Sequence, residues 1–122
     1  MTDVMRTVAE VSGARLGPDA GEDSVSFMPV LRDPAYEGPL HEAIVMHSDA
    51  GAFAIRQGRW KLLLAPGSGA ASEKDSAGLP PVQLYDLESD PKESTNVQAA
   101  HPDIVRRLTV ILDDYQRTGR SL

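Results

Sequence analysis

The chain has 122 residues, a net charge of −6 and no cysteine. Its length suits one domain, or one domain with an appendage, and allows roughly two thirds of the unfolded surface to be buried. The acidic balance argues against nucleic acid or an anionic membrane as a partner, no apolar run approaches the ~20 residues of a bilayer span, and the missing cysteines exclude disulfides, thiolate metal sites and cysteine nucleophiles.

Residues 3–12 are expected to form a helix, because Val4, Met5, Val8 and Val11 recur at i, i+1, i+4 and i+7. Thr2 is placed as N-cap, Asp3 sits at the positive end of the dipole, and Gly13 suits the position after the last turn. So short a helix needs a surface to pack on. The first residues lack the basic and apolar regions of a signal peptide, so none is expected in this chain, and the compartment is left open.

Residues 14–41 are rich in Gly, Pro and Asp and read as loop. Within them Val25, Phe27, Met28, Val30 and Leu31 form either a short helical turn or apolar anchors, the second being preferred. Residues 42–48 predict a strand, followed by a turn at Asp49-Ala50-Gly51. Residues 52–56 and 59–65 predict a β-hairpin about Gln57-Gly58, with Gly supplying a positive φ. A low-complexity loop at 66–81 leads to a fourth strand from Val82 to Leu87, then a sharp turn at Ser89-Asp90-Pro91.

The last helix opens with Pro102 and Asp103 and carries Ile104, Val105, Leu108, Ile111, Leu112 and Tyr115 along one face before Gly119 ends it. Trp60 is assigned to the core beneath it. The expected fold is α+β: a four-stranded, mainly antiparallel sheet with the C-terminal helix packed on one face, plus an N-terminal helix and loop.

Several segments together resemble the C-terminal part of a formylglycine-dependent sulfatase of the arylsulfatase family. They are Thr2 to Ala9, Gly21 to Leu31, Val45-Met46-His47-Ser48, the hairpin Ala52 to Leu62 with the single tryptophan, and Gln83 to Val97. The string Leu84-Tyr85-Asp86-Leu87 followed by Asp90-Pro91, Glu93 and Asn96 is the most specific of them. The resemblance implies that residues 1–41 correspond to the end of a sulfatase catalytic domain and 42–122 to its C-terminal α+β subdomain. It also implies a calcium ion and a formylglycine nucleophile in the catalytic domain, which would be the partner if encoded upstream or separately.

The residues also have a plain physical reading. Leu84 and Leu87 pack inward, Asp86 and Glu88 face water, Glu93 contacts free amides, and Asn96 caps or accepts a positive φ. No Ser begins a Ser-x-Pro-x-Arg motif, since Ser26 to Arg32 has the wrong spacing, and the family's acidic calcium ligands have no counterpart. A divalent cation is what would neutralise the sulfate charge as the S–O bond breaks.

His47 is the one substrate-binding candidate, carried by the resemblance because this part of the small domain approaches the cleft. Relatives place two consecutive histidines where this chain has Met46-His47, and a histidine hydrogen-bonded in a loop is the plainer alternative. His47, Ser48 and Asp49 cannot form a triad, because neighbours on an extended chain point to opposite faces. His41 lies in a Pro-flanked loop, His101 precedes Pro102, and three histidines so placed are poor evidence for zinc. Arg56, Arg59 and Lys61 either line a groove for a sulfated anion or form a solvated face.

The expected function is therefore a C-terminal domain or fragment of an arylsulfatase-like sulfuric ester hydrolase, completing the fold and one rim of the cleft and catalytically incomplete alone. The alternative is a free-standing binding or assembly module derived from such a domain. An independent hydrolase using His47 is a third, weaker possibility. On the fragment reading, self-association through residues 3–12, or disorder of residues 1–13 in a monomer, is expected, because Val4, Met5, Val8 and Val11 have no obvious partner.

Overall fold

In a computed structural model the described residues are 2–67 and 78–120; most of the loop expected at 66–81 lies outside them. The chain falls into two compact units, Met1–Glu42 with Thr118–Leu122, and Ala43–Arg117.

The second unit holds the sheet. Strands β1 (Ile44–His47), β2 (Phe53–Gln57), β3 (Trp60–Leu63) and β4 (Gln83–Asp86) lie in the order β1-β2-β3-β4. Every pairing is antiparallel, and the register aligns Met46 with Ala54, Ala54 with Leu63, and Leu63 with Gln83. The two-residue loop of the central hairpin is Gly58-Arg59, one position later than expected, because Gln57 pairs with Trp60. Gly58 has φ 56° while Arg59 does not share a positive φ, the pattern of a type II′ turn.

A long helix (Pro102–Thr118), α3 in chain order, supplies Leu108 and Leu112 to a core with Ala43, Ile55, Leu62 and Leu84. Because strand side chains alternate, Val45, Phe53, Ile55, Trp60, Leu62 and Leu84 share the helix-facing side of the sheet. Trp60 packs against this core as expected, with its ring 4.8 Å from that of His101 just before the helix. Burial of this kind contributes about 1.5–3 kcal/mol per large aliphatic side chain.

The first unit is organised differently. Helix α1 (Val4–Ser12) ends as expected on Gly13, in the left-handed region at φ 71°. Its N-cap position is Asp3 rather than Thr2, and the Asp3 side chain makes no cap bond. Instead its carboxylate accepts from the backbone N–H of Val25 at 2.9 Å and meets His41 Nε2 at 2.9 Å. The apolar anchors become a short helix α2 (Met28–Arg32), with Pro29 in its first turn, so the helical reading holds over the preferred one.

The polar side of α1 is the buried one. Thr7 is 5% exposed and Ala9 8%, whereas Val4, Met5, Val8 and Val11 are 46%, 49%, 57% and 68% exposed. Thr7 Oγ1 donates to the Asp3 carbonyl and accepts from the Phe27 N–H, Ser24 Oγ accepts from the Arg6 N–H, and Glu10 binds both Ser26 and Arg32. Segment 21–32 is thus held to the helix by hydrogen bonds and an ion pair, and the apolar stripe faces outward.

Candidate functional site

The helix-free side of the sheet carries Ala54, Leu63 and the following Ala65, with Ala52 packed against them. Small residues at the centre and longer ones at the edges leave a recess of about 750 Å³. Met46, Ala52, Ala54 and Leu79 line its apolar part, and Lys61, Gln83, Tyr85 and Glu93 its polar part. The register explains the polar grouping, since Lys61 lies opposite Tyr85 and Leu63 opposite Gln83 on adjacent strands.

Each polar group there is satisfied. Tyr85 Oη donates to Gln83 Oε1 at 2.5 Å, and Gln83 Nε2 donates to the carbonyls of Ala65 and Gly67, both at 2.7 Å. Lys61 Nζ donates to both oxygens of Glu93 at 2.7 Å. Burial, then the charges of Glu93 and Asp90, push the Tyr85 phenol above its ordinary value, so it stays a neutral donor. Among the described residues that line it, no hydroxyl is found hydrogen-bonded to a histidine or carboxylate base; Ser48 Oγ accepts from the Ala52 N–H. It has an apolar floor with a neutralised polar rim.

Glu93 reaches this position through an unusual backbone. It is the one non-glycine residue with positive φ, 55°, among the described residues. The Asp90 turn sets it up. Asp90 accepts from Ser94 N–H, Thr95 N–H and Ser94 Oγ, all at 2.8 Å, and these bonds hold its carboxyl below the usual range. The expected positive φ at this string therefore falls on Glu93 and not on Asn96. Asn96 instead latches the outer edge of β4: its Oδ1 accepts from the Leu84 and Gln98 N–H groups, and its Nδ2 donates to the Val82 carbonyl.

The three basic residues near the hairpin are each engaged within the chain. Arg59 binds Asp86 through two nitrogens and Glu88 through one, with its guanidinium over the Trp60 ring. Lys61 is held by Glu93, and Arg56 Nε donates to the Gly58 carbonyl. The Arg59 bond, aided by Ser89 and the Glu88 N–H, outweighs burial and holds Asp86 far below the usual carboxylate range. Asp86 is therefore a tied residue, not a freely solvated one as expected.

His47 stands at the end of β1 beside the recess, but alternation turns its ring to the helix-facing side, edge-on to its cross-strand neighbour Phe53 with centroids 4.8 Å apart. His41 sits with Asp3, and His101 against Trp60, so the three histidines do not converge. Among the described residues no three His, Asp or Glu side chains gather as a metal site. The recess partners Gln83, Tyr85 and Glu93 were not singled out from sequence as a group. The signal was there only in part, in the alternation that puts Gln83 and Tyr85 on one face.

No family model matches the chain. Over 114 residues, 91% of this chain and 22% of the relative, it is 31% identical to an N-acetylgalactosamine-6-O-sulfatase of Bacteroides thetaiotaomicron. Over 78% of its length it is 34% identical to 17% of a choline-sulfatase of Rhizobium meliloti. Among solved structures, a Bacteroides thetaiotaomicron protein of glycosaminoglycan metabolism superposes with a TM-score of 0.76 at 31% identity, over 94% of this chain and 24% of that one. A protein solved with its substrate D-glucosamine-2-N,6-O-disulfate shares the fold, with a TM-score of 0.64 at 20% identity over 91% of this chain and 22% of that one. The chain thus spans about a fifth of the length of the curated relatives it matches.

Proposed function

We propose, from the premise that this chain is a C-terminal segment of the sulfatase family, that it completes the fold of a sulfuric ester hydrolase and forms one rim of its cleft. The observation that carries this reading is the asymmetry of the match: nearly all of this chain aligns with about a fifth of a sulfatase. The activity belongs to the larger, catalytic part. Formylglycine and calcium, the nucleophile and cation that the sulfatase relatives imply, are assigned to that part as well.

The partner in this reading is the catalytic part itself. It covers the outward apolar stripe of α1, Val4, Met5, Val8 and Val11, and in its absence that stripe drives self-association. His47, beside the recess, is the substrate-binding candidate of this chain in this reading. A second reading, a free-standing binding or assembly module, is favoured by one observation: residues 43–117 carry their own closed core.

The test is an assay of the purified chain with an aryl sulfate and calcium. The expected result is no turnover above buffer. Turnover that survives repurification and disappears in His47→Ala would overturn the proposal.

A further inference from the structure

We draw no further inference here: the strongest candidate, the recess on the helix-free side of the sheet with Lys61, Gln83, Tyr85 and Glu93 along its polar part, carries none, because these side chains are satisfied by one another and by the backbone and nothing in the structure shows what covers it.

Discussion

Helices α1 and α3 look alike in sequence and are used in opposite senses. Both carry an apolar stripe at helical spacing. In α3 the stripe is inside, with Leu108 and Leu112 fully buried against the sheet. In α1 the stripe is outside, and Thr7 and Ala9 are the buried residues. Periodicity thus fixes that a helix forms and which side is apolar, but not what covers that side. One helix is held by burial. The other is held by a set of polar contacts to segment 21–41, and its stripe is exposed.

The comparison breaks most sharply at α3. Leu108→Asp is expected to unfold the domain or leave it insoluble, since it sets a charge in a closed apolar core. Leu112→Ala, a gentler change, is expected to cost about 2–5 kcal/mol. Chemical denaturation reads both. A soluble Leu108→Asp protein with an unchanged melting curve would show that α3 is not packed as described.

At α1 the same logic gives a smaller and polar effect. Asp3→Ala removes the acceptor for Val25 N–H and the partner of His41, and is expected to cost about 1–2 kcal/mol, with faster amide exchange confined to residues 4–12. The pH dependence follows in sign. Burial raises the Asp3 carboxyl, but the Val25 N–H and His41 outweigh it and hold it below its ordinary value. Asp86 and Asp90 are lowered as well, by the Arg59 bond and by the Thr95 N–H respectively as first causes. Groups lowered in the folded state stabilise it above their unfolded values, near pH ~3.9, and lose that contribution as pH falls through the lowered ones. Melting temperature should therefore be steady near neutrality and fall below about pH 4. In Asp86→Asn the acid limb should be shallower.

The smallest expected effect on stability is on the stripe itself. Val8→Asp should change the unfolding free energy by no more than about 0.5 kcal/mol, because the residue is already exposed, yet it should reduce self-association in light scattering. A large loss of stability would mean that the stripe packs on its own chain.

What the sequence made legible follows from the range of the interaction. The hairpin, the long helix and the four strands are set by spacing within a dozen residues, and each appears within a residue or two of its expected limits. The Gly58 turn shifted by one because the ladder, and not the turn residue alone, fixes the register. The features that escaped are long-range. The ion pair of Lys61 with Glu93 and the Arg59–Asp86 pair join residues far apart in sequence, as does the latch of Asn96 on Leu84. The inversion of α1 depends on where Ser24, Val25 and Phe27 return to it, which no local pattern encodes. His47 was legible as a candidate, but its recess partners come from two other strands and a turn.

The central claim is that this chain completes a sulfatase whose catalytic part lies elsewhere. Reading the coding sequence upstream on the same transcript tests it most directly. The account predicts an in-frame Cys/Ser-x-Pro-x-Arg motif there, or an adjacent gene encoding a sulfatase body that lacks its own C-terminal fifth. A stop codon and a ribosome-binding site immediately before Met1, with only unrelated genes around it, would contradict the account and favour the free-standing module.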